Sequence, residues 1–92
     1  MMDYIVVHDD VVSRFEVVEL EDIAYLEYEE IDGIMDITHI FVPPSMRGKG
    51  IAILLVKEAI QYAVEMHLLI KPTCPFAKAF FAKNIEYVNL IV

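Results

Sequence analysis

The stretch Val42-Pro43-Pro44-Ser45-Met46-Arg47-Gly48-Lys49-Gly50-Ile51-Ala52 separates two halves of different periodicity. Before it, segments 3–8, 14–19, 23–30 and 34–42 are rich in Val, Ile, Tyr and Phe and are broken by acidic or glycine turns, which predicts four strands. In the third, Ala24, Leu26 and Tyr28 alternate with Tyr25, Glu27 and Glu29, the period of a half-buried strand. Asp32-Gly33 predicts the hairpin turn that follows. Beyond the stretch, Ala52, Leu55, Val56, Ala59, Ala63 and Met66 recur at helical spacing opposite Lys57, Glu58, Gln61 and Glu65, which predicts an amphipathic helix over roughly 46–66. Leu68–Lys71 fits a short buried strand stopped by Pro72, and Pro75–Lys83, with Phe76, Ala77, Phe80 and Phe81, fits a second helix. The order β-β-β-β-α-β-α, a meander followed by a crossover, predicts a mixed sheet in an α+β domain.

The junction itself carries chemistry. Gly48 and Gly50 sit where a strand gives way to a helix. There glycine lets backbone approach a ligand, and the first free N–H groups of the helix suit a pyrophosphate. Arg47 and Lys49 add positive charge. The pattern G-x-x-x-x-G-K-[ST] is absent, and G-x-G-x-x-G fails because Ile53 stands at the third glycine.

Composition narrows the classes further. The chain has 92 residues, 58% of them hydrophobic and 24% charged, which points to one folded domain over 1–92. So apolar a chain of this length is expected to cover part of its surface with a second copy, as a homodimer. No apolar run approaches the about 20 residues of a bilayer span, because Lys57 and Glu58 follow Ile51–Val56. Met1-Met2-Asp3 lacks a basic leader, and Cys74 is the one cysteine, so a reducing cytoplasmic location is expected. Charge is divided: residues 1–44 hold twelve acids and one base, residues 45–92 three acids and six bases. An acidic chain is a poor nucleic-acid binder, whereas a small phosphorylated ligand suits the second half.

Arg47-Gly48-Lys49-Gly50-Ile51-Ala52 resembles the pyrophosphate loop of the GNAT acetyltransferase superfamily, Arg/Gln-x-x-Gly-x-Gly/Ala. The resemblance extends to a short single-domain branch of that family. It is carried by Arg14-Phe15-Glu16, Ala24 with Leu26-Glu27-Tyr28, His39 before Val42-Pro43, Leu55-Val56, Pro72-x-Cys74-Pro75-Phe76 and Glu86-Tyr87. It implies a minimal GNAT-like fold with splayed fourth and fifth strands. It also implies acetyl-CoA as co-substrate, held by the amides of Gly48, Lys49, Gly50, Ile51 and Ala52 near Arg47, with Phe41 and Val42 lining the pantetheine. The implied activity is acetyl transfer to an amine by direct attack. The alternatives are a CoA-binding or interaction module without catalysis, and acyl transfer through Cys74.

Three side chains are the catalytic candidates. His39, on the fourth strand, is the base candidate, since imidazole takes up a proton near neutral pH and an amine must be neutral to attack a thioester. Cys74 begins the second helix, whose positive end favours a thiolate, so it can accept an acetyl group or fill the joint as a small buried residue. Phe80 and Phe81 fall where many family members carry the tyrosine that protonates the CoA thiolate, which leaves Tyr87 as the candidate acid. No metal is expected, because His8, His39 and His67 sit on different elements and share no ligand spacing. Glu16, Glu19, Glu21, Asp22, Glu27, Glu29, Glu30, Asp32 and Asp36 form solvated faces, or else attract a cationic acceptor to the end of the cleft away from the CoA phosphates.

Overall fold

In the computed structural model, which describes residues 4–92, the strands lie side by side in chain order. Strands β1 (Val7–Asp9), β2 (Arg14–Glu19), β3 (Asp22–Ile31) and β4 (Ile34–Phe41) pair antiparallel, and β5 (Leu69–Pro72) joins β4 in parallel. Helix α1 (Ile51–Glu65) makes the crossover, and α2 (Pro75–Lys83) follows β5. The expected mixed sheet and α+β class are both present. Asp32 and Gly33 take φ values of 53° and 78°, the left-handed pair of a tight hairpin turn.

Period two explains which side of the sheet is covered. Phe15 and Val17 on β2, Ala24, Leu26 and Tyr28 on β3, Met35 and Ile37 on β4 and Ile70 on β5 are buried. Leu55, Val56, Ala59 and Ala63 of α1, one helical stripe, and Ala77, Phe80 and Phe81 of α2 complete the same core. Glu16, Tyr25, Glu27, His39 and Phe41, which alternate with the buried strand residues, lie on the opposite, open face of the sheet. This is the hydrophobic-in, polar-out pattern of a two-layer antiparallel sheet. Burying one Leu or Ile contributes about 1.5–3 kcal/mol, so Leu26, Met35, Ile37, Leu55 and Ile70, all fully buried, supply much of the stability.

Several boundaries differ from expectation. Helix α1 begins at Ile51 rather than 46, because Gly48 and Gly50 both hold φ at 77°, which ends any right-handed helix N-terminal to them. At its other end, Leu68 N donates to Ala63 O (2.8 Å) and His67 N to Val64 O (3.2 Å), closing the helix with His67 at φ 57°. Hence β5 starts at Leu69 instead of Leu68. The first strand is Val7–Asp9, not 3–8; its expected first residue, Asp3, and the Met1-Met2-Asp3 reading lie outside the described residues. A 3-10 helix over Ile85–Leu90, with Val92 N bonded to Ile70 O (2.9 Å), brings the C-terminal segment against β5. Among the described residues no helix is long and apolar enough to cross a membrane.

Candidate functional site

Strand β4 carries one residue more than β3 can match: Tyr28 pairs with Ile37 and Glu27 with His39, which leaves Thr38 as a β-bulge. Thr38 Oγ1 donates to Glu27 O at 3.3 Å, supporting the irregular step. The consequence is a change of face. Ile37 faces the core, His39 and Phe41 face the open side, and Ile40 and Val42 pack against the core again. Within one residue of the bulge β5 also leaves. Its last pair is Ile37↔Pro72, and Cys74 N caps Ile37 O at 2.9 Å. Proline has no N–H to continue the ladder, so among the described residues no strand pairs with that edge of β4 beyond Ile37. The fourth and fifth strands part there.

A groove of about 440 Å³ opens where they part, within the range of ligand pockets. It is lined by Ile40, Phe41, Val42, Met46, Arg47, Gly48, Gly50, Ile51, Ala52, Ile53 and Phe76. The loop that closes it is fixed from both sides. Fully buried Met46 anchors a 3-10 turn (Pro44–Met46) in the core, and Arg47 Nε donates to Val42 O at 2.9 Å. Gly48 and Gly50 both require their left-handed conformation, and neither leaves a side chain between the start of α1 and the groove. Free amides at the helix start, the positive end of its dipole and the Arg47 guanidinium make this floor attractive to a phosphorylated group.

Seven of the eight residues expected to hold a cofactor therefore line one groove. Lys49 does not; its Nζ lies 3.3 Å from Glu19 Oε1. Ser45 Oγ likewise donates to Asp22, so two acids expected at the far end of the cleft instead tie the β2–β3 hairpin to the loop. Ile40, Met46, Ile53 and Phe76 belong to the groove and were not read from the sequence as ligand residues. Phe76 is the one with a legible signal, a large aromatic in the first turn of a helix that stays 41% exposed.

The three catalytic candidates do not converge. His39 is exposed on the open face, beside Tyr25 (ring centroids 5.7 Å) and opposite Glu27. Arg14 lies over Tyr25 at 4.0 Å, within 3.6 Å of Glu27 and 3.5 Å of Glu16, so charge on this face is partly balanced. Cys74 is 5% exposed at the N-cap of α2, and Tyr87 packs with Phe80 and Phe81 at ring distances of 6.1 and 6.0 Å; none of the three candidates lines the groove. His8 stacks on Phe15 and bonds the Tyr28 hydroxyl, and His67 closes α1. Among the described residues no three His, Cys, Asp or Glu side chains are placed to share a metal.

The family model of GCN5-related N-acetyltransferases matches residues 14–90, nearly the whole chain and the whole groove. The chain belongs to this family. Among its family relatives, it is 39% identical over 64 residues to protein NATD1 of Bos taurus and 38% identical over 64 residues to NATD1 of Homo sapiens. Each match takes in 68% of this chain and 57% of the relative, so the chain spans a little over half the length of the curated relatives it matches. The solution structure of a GCN5-like protein from Staphylococcus aureus superposes on all of this chain and 91% of its own with a TM-score of 0.78, at 24% identity, and shows the same fold. The GNAT membership expected from the loop is thus established, and with it the class of the fold.

Proposed function

We propose that the protein binds acetyl-CoA in the groove and transfers its acetyl group directly to an amine. The observation that carries this reading is the coincidence, in one groove, of an unpaired β4 edge with a helix start opened by two left-handed glycines. In this reading the amides of Gly48 to Ala52 hold the pyrophosphate. The free edge of β4 offers N–H and C=O groups to the pantetheine amides, and Phe41 and Val42 wall its methylenes.

Because Phe41 belongs both to the groove and to the open face, a thioester laid along this edge is reachable from the side on which His39 stands. An ammonium acceptor arriving there gives one proton to the His39 imidazole. Its lone pair then attacks the thioester carbonyl, the C–N bond forms, the C–S bond breaks, and CoA leaves as the thiol once it regains a proton. The buried position of Cys74 favours direct attack over an acetyl-cysteine route. Glu16, Glu27 and Glu29 on the same face suit a cationic acceptor. Acetyl transfer offered to polyamines, amino acids and lysine peptides in parallel, read as CoA thiol release, tests the reading. Turnover on at least one amine is expected; binding of acetyl-CoA without turnover on any would leave a CoA-binding module.

We also propose that a second copy covers part of the exposed apolar surface. Val7, Val18, Ile23 and Ile31 are all exposed on the open face, and a solution mass near twice 10.6 kDa is expected.

A further inference from the structure

Strand β3 outruns the neighbour on its outer side. Its last pair with β2 is Arg14↔Glu27, after which Tyr28 N adds one bond to Ser13 O (3.1 Å). Ser13, at φ 57°, turns the chain off the sheet, and Asp9 Oδ1 closes that turn by accepting from Val11 N (3.0 Å) and Val12 N (3.4 Å). β3 runs on to Ile31, paired there with β4 alone among the described residues. Backbone groups alternate in direction along a strand, so the N–H and C=O of Glu30 point to the same side as Tyr28 N. Among the described residues no backbone group meets them there.

A hollow of about 520 Å³ lies at this edge and shares no residue with the acetyl-CoA groove. Val11, Val12 and Ser13 line it from the turn, and Glu29, Glu30 and Ile31 from β3; no lysine or arginine lines it. Val11, Val12 and Ile31 are exposed apolar side chains. Neither Glu29 nor Glu30 has an ion pair among the described residues, and Glu30 accepts from the neutral Tyr62 hydroxyl. We infer that this edge pairs with an extended segment of a partner protein in which two adjacent basic residues are flanked by apolar ones. The partner's backbone gives Glu30 a donor and an acceptor, as the next strand of the sheet. Successive strand side chains point to opposite faces, so one basic residue meets Glu29 and the next meets Glu30. The flanking apolar residues then lie against Ile31 at one end and the Val11–Val12 turn at the other.

Nuclear magnetic resonance of the isotope-labelled protein at low salt, titrated with the peptide acetyl-Val-Lys-Lys-Val-amide, tests the inference. Saturable shifts should centre on the amides of residues 11–13 and 29–31, and solvent exchange of the Glu30 N–H, fast in the free protein, should slow at least tenfold. Methylating both lysine amides of the peptide backbone removes the pairing donors and keeps every charge. That change, and separately Glu29→Lys at an exposed side chain, should each weaken binding roughly tenfold. No shifts at millimolar peptide, a Glu30 amide left unprotected in the complex, or undiminished binding by Glu29→Lys would overturn the inference. Equal binding of the methylated peptide would overturn it too, since charge alone would then hold any soluble polyamine. The same amides shifting with protein concentration alone would overturn it by giving the edge to a second copy.

Discussion

Ile37 and His39, two residues apart on β4, lie on opposite faces of the sheet because Thr38 between them is matched by no residue of β3. The core side chain and the proposed base are thereby separated by one irregular step, at the point where β5 leaves. Bulges re-aim side chains and end pairing beside functional sites, and here both effects fall on the same residue.

Deleting Thr38 makes Ile37 and His39 neighbours and restores regular alternation, so each keeps its face and the fold should survive. The strand is straightened, however, and the free edge shifts relative to the glycine loop. Cooperative unfolding by circular dichroism should be retained, with acetyl transfer falling on the order of 10²-fold, the usual effect of misplacing reactants by an ångström. Unchanged turnover would show that the bulge does not position the site.

The three catalytic candidates should separate cleanly. His39→Ala should lower turnover on the order of 10²-fold or more near neutral pH, the usual contribution of a positioned base. Cys74→Ala, at a buried side chain, and Tyr87→Phe, at a ring packed on Phe80 and Phe81, should leave most of it, and intact-mass analysis after acetyl-CoA should find no adduct on Cys74. An acetylated Cys74 with an inactive Cys74→Ala protein would establish the covalent route instead.

Much of this was legible beforehand, for physical reasons that differ along the chain. The alternation of Ala24, Leu26 and Tyr28 and the helical stripe from Leu55 to Ala63 mark the core directly, because burial imposes its period on sequence. Gly48 and Gly50 mark the loop because only glycine takes φ of 77° without strain. The bulge left no mark, since Thr38 is an ordinary strand residue and its extra place is set by pairing with β3. Nor did the engagement of the Lys49 side chain by Glu19, thirty residues away, a pairing made by the fold and not by the loop's own sequence. Cys74 sits at a helix start as expected, but the bond from its N–H to Ile37 O draws it into the core.

His67 closes α1 in the left-handed region, at φ 57°, where a side chain is strained. His67→Gly should raise stability by about 1 kcal/mol in denaturant titration, since the closing hydrogen bonds come from the backbone. A loss of stability would assign the imidazole a contact that outweighs its backbone strain.

Tyr62 donates to Glu30 Oε1 at 3.0 Å, and burial together with this bond raises its hydroxyl well above the ordinary tyrosine range. Burial raises Tyr28 beside it in the same direction. The folded state therefore holds these protons more tightly than the unfolded chain, so their stabilisation is complete below about pH 10 and is lost as pH rises towards the raised values. Denaturation midpoints should fall in that alkaline window, and Tyr62→Phe should flatten the fall. A midpoint equally pH-dependent in the variant would place the alkaline loss elsewhere.

The central claim is that acetyl-CoA occupies the groove at the start of α1, and calorimetric titration measures it most directly. Wild-type protein should bind acetyl-CoA with one site per chain. Ala52→Glu, a change at a helical position on the groove wall, should abolish binding while the protein stays folded. Gly50→Glu should do the same with a further cost of about 1–2 kcal/mol in stability from its left-handed backbone. No heat from the folded wild type at millimolar acetyl-CoA, or undiminished binding by Ala52→Glu, would contradict the account.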